Sequence, residues 1–88
     1  MPSRTVAMAN RRGLHARASA KFVTLASELS ATTEVEKDGN KVVGTSIMGL
    51  MMLGAAMGDE ILITTEGPGA DEALERLVAL VEGRFGED

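Results

Sequence analysis

Residues 10–20 read Asn-Arg-Arg-Gly-Leu-His-Ala-Arg-Ala-Ser-Ala, and they carry the chain from its first predicted strand into its first predicted helix. Gly13 marks the turn between the two, and a helical pattern begins at Ala16. The stretch also contains His15, the one histidine of the sequence, two residues before Arg17. This segment therefore contains both the turn from the first strand to the first helix and the histidine that lies at that turn.

His15 and Arg17 have the chemistry that a phosphoryl group would need. A neutral imidazole is a nucleophile near physiological pH, and a phosphate placed on it would face the free backbone N–H groups that open a helix. Arg17 adds a forked donor that is always charged. On local chemistry alone an ordinary surface histidine near a turn fits equally well, because one His and one Arg two positions apart form a weak motif.

Apolar spacing predicts the remaining elements. In chain order they are a strand over 4–9, a helix over 16–29, strands over 32–37 and 41–43, a short helix over 47–53, a central buried strand over 60–66 and a helix over 70–84. Asp38-Gly39 is a strong signal for a two-residue hairpin between the second and third strands. The order β-α-β-β-α-β-α predicts an α+β fold, in which three helices cover one face of a four-stranded antiparallel sheet.

Length and charge limit the function classes. A chain of 88 residues is expected to form a single domain over 1–88, too small for a two-domain enzyme with an enclosed active site. Nine Lys and Arg against thirteen Asp and Glu give a net charge of −4, which opposes nucleic-acid binding because phosphate contacts supply much of that affinity. The sequence also lacks a general-base constellation and a Gly-rich nucleotide loop, so we do not expect an enzyme that acts alone.

The sequence gives no case for a metal, a cofactor or a membrane segment. It has no cysteine, and a single histidine without clustered acids does not form a zinc site. The longest apolar run, over 47–57, is interrupted by glycines and is shorter than the ~20 residues needed to span a bilayer. We expect a cytoplasmic protein that does not insert into membranes.

Positive charge is concentrated near His15 despite the acidic total. The local cations are Arg11, Arg12, Arg17 and Lys21, whereas acids dominate the end of the chain at Glu82, Glu87 and Asp88. Such a patch would attract an acidic or phosphorylated partner. An ordinary solvated charge run is the alternative interpretation.

Two separated segments resemble one known family. Gly13-Leu14-His15-Ala16-Arg17, followed by Ala20-Lys21-Phe22-Val23, and later the stretch Gly-Thr-Ser-Ile-Met-Gly-Leu-Met-Met-Leu-Gly over 44–54, are similar to the histidine-containing phosphocarrier protein family, HPr, of the bacterial sugar phosphotransferase system. The resemblance covers essentially the whole chain. It implies an open-faced β-sandwich that is a substrate of phosphotransfer enzymes rather than an enzyme itself.

The resemblance also implies roles for particular residues. His15 would accept a phosphoryl group from phosphorylated enzyme I on Nδ1 and pass it to a histidine of enzyme IIA proteins. The backbone N–H groups of Ala16 and Arg17 would hold the phosphate, and the Arg17 side chain would be its electrostatic partner.

The second segment implies regulation and docking. Ser46 matches the serine that HPr kinase/phosphorylase modifies in many members of the family, and it is also a good N-cap for the short helix. Leu50 and Leu53 are assigned to the core. The resemblance places partner docking on the residues Arg12, Ala20, Lys21, Ile47, Met48 and Met51.

Two departures from the family pattern bear on geometry and on the choice of pathway. Ala18 stands where the family often has proline after the arginine, and Arg12 replaces a small polar residue common in many members, so we expect altered geometry around His15 and a helix that begins slightly later. Ala18 and its alanine and serine neighbours also resemble nitrogen-related, regulatory phosphocarriers of alphaproteobacteria, which signal without sugar uptake. Nothing in the sequence argues against a monomer.

An unrelated alternative is a binding module, such as a small-molecule sensor or an RNA binder with a ferredoxin-like strand order. RNA recognition on a sheet needs stacking aromatic residues. The sequence has only Phe22 and Phe85, and both lie on predicted helical apolar stripes.

Overall fold

Four antiparallel strands form one sheet, and three helices pack on one of its faces. The computed structural model describes residues 1–87. The elements are β1 (Ser3–Ala7), α1 (Ala16–Glu28), β2 (Thr32–Lys37), β3 (Asn40–Val43), α2 (Ile47–Met52), β4 (Glu60–Glu66), α3 (Ala70–Glu82) and a 3₁₀ turn (Arg84–Gly86). The strand order is β1-β4-β2-β3. The predicted α+β fold, with its four-stranded sheet and three helices, is confirmed.

The central position predicted for the 60–66 strand is confirmed, since β4 pairs with β1 on one side and β2 on the other. The strand is buried on one face only. Ile61, Ile63 and Thr65 point into the core, whereas Leu62 is half-buried on the opposite face. The helices cover only one face of this antiparallel sheet, so the side chains of β4 that point to the other face are not fully buried, although the strand is central.

Several predicted boundaries differ by one or two residues, and β1 begins one residue earlier than expected, at Ser3. β1 ends at Ala7, although Met8 is buried and its N–H donates to the Asp59 carbonyl at 2.8 Å. β3 begins one residue earlier, at Asn40. α2 ends at Met52, because Leu53 is its C-cap and Gly54 follows with φ of 67°.

α1 begins at Ala16, so the expectation of a later start was wrong. Ala18 occupies a fully buried position in the first turn. Alanine is the best helix former, and the cap at His15 fixes the start without the rigid φ of a proline. The helix ends at Glu28, with Leu29 as the C-cap.

The prediction that the last helix continues through Arg84 was wrong. α3 ends at Glu82, where the N–H of Gly83 donates to the Ala79 carbonyl at 2.8 Å. Phe85 is buried as its spacing predicted, but it lies in the 3₁₀ turn with φ of 54° rather than in a helix. The apolar spacing that continues past Gly83 therefore predicted the burial of Phe85 correctly but its helical conformation incorrectly.

No helix within residues 1–87 combines the length and the apolar character required to cross a membrane.

Candidate functional site

The His15 ring lies at the start of α1, where His15 itself is the N-cap residue. Its Nδ1 accepts a hydrogen bond from the backbone N–H of Arg17 at 3.3 Å. The preceding residue is anchored twice, because the Leu14 N–H donates to the Ala55 carbonyl at 2.9 Å and the Ser19 hydroxyl donates to the Leu14 carbonyl at 3.1 Å. The backbone that carries the imidazole is thus fixed from both sides.

The second ring nitrogen of His15 contacts a carboxylate. Nε2 lies 2.8 Å from Oε2 of Glu87, and the two side chains are 19% and 15% exposed. A backbone N–H can only donate, so Nδ1 must be the acceptor, and in the neutral ring Nε2 then carries the proton and donates to Glu87. This arrangement leaves a lone pair on Nδ1, on the side that faces the helix N-terminus.

Glu87 is itself held by Asn10, which is fully buried. The Asn10 amide nitrogen donates to Oε1 of Glu87 at 3.1 Å and to the Gly13 carbonyl at 2.8 Å. Burial of the Glu87 carboxyl opposes its ionisation. Hydrogen bonds from Asn10 and His15, the positive charge of the His15 ring in its protonated form and the charge of Lys21 outweigh that effect and lower the pKa of Glu87. The carboxylate is therefore ionised beside the ring at neutral pH.

The guanidinium groups near His15 line a shallow cleft of about 230 Å³. Its walls are Arg11, Arg12, His15, Arg17 and Glu87. All three arginines are exposed. The cleft has the size and the charge to admit a small anion.

The structure changes the predicted charge pattern in two respects. Lys21 donates from its ammonium to the Phe85 carbonyl at 2.6 Å, so its charge is directed at the chain's own 3₁₀ turn. Glu87 was grouped with the acids at the end of the chain, apart from the basic patch, and that separation was wrong because the 3₁₀ turn brings Glu87 into the patch. Asp88, the last of those acids, lies outside the described residues.

Ser46 is the N-cap of α2, and its hydroxyl accepts a hydrogen bond from the Gly49 N–H at 3.0 Å. The core assignment of Leu50 and Leu53 is confirmed, since both are buried. The other side chains expected on the surface of this helix are exposed; they are Ile47 at 41%, Met48 at 70% and Met51 at 41%.

α2 packs against α1, so the exposed apolar residues of α2 belong to a surface shared by both helices. On α1, Ala20 is half-buried and Lys21 is exposed. Together with Arg17 and Leu25 they line an open groove of about 430 Å³, which includes Leu80 of α3 and no residue of α2. Arg12 lies on the neighbouring wall of the His15 cleft.

Within residues 1–87 there is no group of three or more His, Asp or Glu side chains placed to hold a metal ion. Phe22 and Phe85 are both buried in the core, so the sequence has no aromatic side chain left to stack a base on the sheet. The structure thus gives no support to the RNA-binding alternative.

Sequence reasoning missed two residues of this site, Asn10 and Glu87. A lone Asn three residues before a glycine is a turn signal, which could have directed attention to Asn10. Glu87 had no local signal, because its contact with His15 spans 72 residues. Only the packing of the 3₁₀ turn against α1 brings it there.

The lowered pKa of Glu87 predicts a pH-dependent stability. Because the folded-state pKa lies below the ordinary value of 4.5, the ionised carboxylate stabilises the fold above that pH, and the contribution is lost as pH falls through the folded-state pKa. In urea unfolding, wild type should exceed Glu87→Gln in free energy of unfolding at about pH 5, and the difference should shrink by about pH 3. A difference that stays constant over this range would contradict the prediction.

The fold and the site define a class of protein: a small α+β domain that presents a histidine at a helix N-terminus within a basic cleft. The model of one family, described as the PTS HPr component phosphorylation site, matches residues 2–83. The chain belongs to this HPr family of phosphocarrier proteins.

Individual relatives agree with the family assignment. The chain is 42% identical over 87 residues to "Phosphocarrier protein HPr" of Cupriavidus necator, with 99% of this chain and 98% of that protein covered. It is 40% identical over 84 residues to "Phosphocarrier protein NPr" of Shewanella violacea, covering 96% and 92% of the two chains. The crystal structure of HPr-C-His from Thermoanaerobacter tengcongensis superposes with a TM-score of 0.95 at 44% identity, over 100% and 99% of the two chains.

Proposed function

We propose that the chain, as one carrier domain over residues 1–88, accepts a phosphoryl group from phosphorylated enzyme I on His15 and passes it to a histidine of enzyme IIA proteins. It is not an enzyme in this scheme, since its partners drive both transfers. The observation that carries the proposal is the His15 ring, whose Nε2 is engaged by Glu87 while Nδ1 faces the start of α1. All the residues that line the cleft belong to one chain, so the proposed transfer requires no second copy.

The geometry suits transfer through Nδ1. A phosphoryl group bound there would replace Nδ1 as the acceptor for the Arg17 N–H, and the N–H of Ala16, in the first turn of the helix, has no intrahelical partner and could donate as well. The exposed Arg17 guanidinium can reach the charge that spreads over the three phosphoryl oxygens in a loose transition state. Positioning and positive potential would then supply most of the rate enhancement.

The proposal is tested by incubating the protein with enzyme I and phosphoenolpyruvate, then measuring intact mass at alkaline pH, where phosphohistidine survives. We expect a gain of one phosphate and its loss on addition of an enzyme IIA protein. No gain, with an enzyme I that phosphorylates another HPr-family protein in parallel, would overturn the proposal.

Partner docking is proposed for the surface shared by α1 and α2. Methionine side chains adapt to differently shaped surfaces, and Met48 and Met51 are exposed beside Ile47. Isolated exposed apolar residues are common, but several lie together on one short helix that packs against α1. With the arginines at the start of α1, they would suit a partner surface that has an apolar centre and an acidic rim. The residues proposed to contact enzyme I and enzyme IIA are Arg12, Ala20, Lys21, Ile47, Met48 and Met51.

Regulation is proposed at Ser46, through phosphorylation by an HPr kinase/phosphorylase. The hydroxyl is half-buried at the N-terminus of α2 and next to Ile47 of the docking surface. A phosphate there would add nearly two negative charges, which the helix start tolerates but an acidic partner would repel. Phosphorylation should therefore weaken docking with little change in fold.

Ser46→Asp should raise the KM of enzyme I for this carrier by about tenfold, because a negative charge facing an acidic partner should cost about 1.4 kcal/mol of binding. Stability should be retained, since aspartate is also a good N-cap. Ser30→Asp is the matched control. Ser30 is exposed just beyond the C-terminal end of α1, whereas His15 lies at the N-terminal end of that helix. Equal KM values for wild type and Ser46→Asp would contradict regulation by charge at this position.

A second candidate is a nitrogen-related regulatory phosphocarrier, which uses the same His15 chemistry without sugar uptake. The supporting observation is that identity to the protein named NPr, at 40%, is nearly as high as identity to the Cupriavidus HPr, at 42%. The two are distinguished by presenting the phosphorylated protein to a sugar-specific and to a nitrogen-related enzyme IIA. Faster transfer to the second acceptor would select the regulatory role.

A further inference from the structure

Methionine sulfur is concentrated at the surface around α2. Of the six methionines in the sequence, four exposed ones lie in or just after this helix; they are Met48 at 70%, Met51 at 41%, Met52 at 80% and Met57 at 59%. Met1 is also exposed, whereas Met8 is buried in the core. The sequence has no cysteine, so these thioethers are the sulfur atoms that an oxidant in solution can reach.

Two of these methionines belong to the surface proposed to receive enzyme I. Met48 and Met51 are three residues apart on α2, which places them on the same side of the helix. Leu50, which lies between them in the sequence, is fully buried and anchors the helix to the core. A chemical change at the two exposed sulfur atoms would therefore alter the docking surface and leave the core packing intact.

Oxidation by a peroxide would change the polarity of this surface. The thioether sulfur gives an electron pair to one peroxide oxygen, the O–O bond breaks, and after proton transfer the second oxygen leaves as water. The sulfur is oxidised to a sulfoxide and the peroxide is reduced. A thioether is a weak hydrogen-bond acceptor, whereas a sulfoxide is polar. Docking against an apolar partner surface would then bury a polar group that has no hydrogen-bond donor.

We propose that Met48 and Met51 form a redox-sensitive modification site, at which a peroxide produces methionine sulfoxide and thereby weakens the docking of enzyme I. This inference rests on the proposed function. The modification adds no charge, unlike phosphorylation of Ser46, and methionine sulfoxide reductases can reverse it. The residues that line the His15 cleft contain no sulfur, so the transfer step itself should be unchanged.

The test treats the carrier alone with hydrogen peroxide, removes the peroxide, and then measures kcat and KM for phosphoryl transfer from enzyme I. In wild type the KM should rise about tenfold while kcat stays within about twofold, because docking is weakened and the reacting ring is unchanged. Peptide masses should place oxygen on Met48 and Met51 and show Met8 unmodified. Reduction by the two epimer-specific methionine sulfoxide reductases should restore the starting KM.

Two pairs of substitutions identify the methionines responsible. Leucine is apolar and similar in volume to methionine, and it has no sulfur to oxidise. In the double variant Met48→Leu, Met51→Leu, the KM should be the same before and after peroxide; comparison within the variant removes any effect of leucine itself on docking. The matched control is Met52→Leu, Met57→Leu, which should respond to peroxide as wild type does. Met52 lines a cavity between α2 and β3, and Met57 lies beyond the end of α2, so neither is in the proposed docking surface.

Urea unfolding of the oxidised wild type separates weaker docking from damage to the fold, and the midpoint should equal that of the untreated protein. An unchanged KM in wild type that carries both sulfoxides would overturn this inference alone. So would an equal rise of KM in Met48→Leu, Met51→Leu, or a rise that comes with a lower midpoint. Absence of phosphate uptake by untreated wild type would overturn the proposed function, and this inference with it.

Discussion

His15→Ala should abolish phosphate uptake from enzyme I. The sequence contains one histidine, and its Nδ1 is the proposed nucleophile. No residual transfer is expected, since the remaining cleft residues are arginines and a carboxylate, none of which replaces a neutral imidazole as a nucleophile. Intact mass at alkaline pH after incubation with enzyme I and phosphoenolpyruvate measures the effect directly.

The alanine variant also loses a helix cap, so a second variant is needed. His15 accepts the Arg17 N–H, and removal of an N-cap side chain costs about 1 kcal/mol of stability. Asparagine is a strong N-cap with no nucleophilic nitrogen, so His15→Asn should keep that stability and still accept no phosphate. A one-phosphate mass gain in either variant would contradict His15 as the acceptor.

Gly13→Ala should lower the free energy of unfolding by about 3 kcal/mol or more. Gly13 has φ of 60°, and a Cβ built on it would lie 2.0 Å from the Ala55 carbonyl oxygen and 2.8 Å from the Ala56 Cα. These are backbone atoms, and the same carbonyl accepts from the Leu14 N–H. Relief of the clash would therefore separate the His15 turn from the segment between α2 and β4. Urea unfolding measures the loss.

Gly54→Ala is the control that separates two effects of Gly13→Ala, the clash of the new Cβ with Ala55 and the strain of a positive φ. Gly54 has a similar φ of 67°, but a Cβ there would meet nothing within 4 Å. It should cost only about 1 kcal/mol, the price of a left-handed conformation in a residue with a side chain. If both variants lose the same stability, close approach to Ala55 does not explain the requirement for glycine at position 13.

Sequence patterns predicted most of the fold because the relevant information was local. The bounds of β2 and β4 agree with the prediction. The apolar run over 61–63 marked β4, and serine at 46 marked the start of α2. The errors fell at element ends, where a single capping contact or glycine competes with a continuing apolar pattern.

The candidate site was predictable in part. His15 and Arg17 form a local motif at the start of a helix, and the structure places them in one cleft. Lys21 was counted in the basic patch and Glu87 outside it from their positions along the chain, but Lys21 is paired within the chain and Glu87 lies in the patch. Their real partners, the Phe85 carbonyl and Nε2 of His15, are distant in sequence.

The sequence by itself determined that this chain forms an α+β sheet-and-helix domain with a histidine at the start of its first helix, because hydrophobic spacing, glycines and capping residues act over a few neighbours. Only the tertiary structure decided what surrounds that histidine. Burial of Phe85 folds the chain back after α3, which places Glu87 against Nε2 and Asn10 behind the carboxylate. Contacts of this kind depend on how packed elements meet, and no spacing pattern along the chain encodes them.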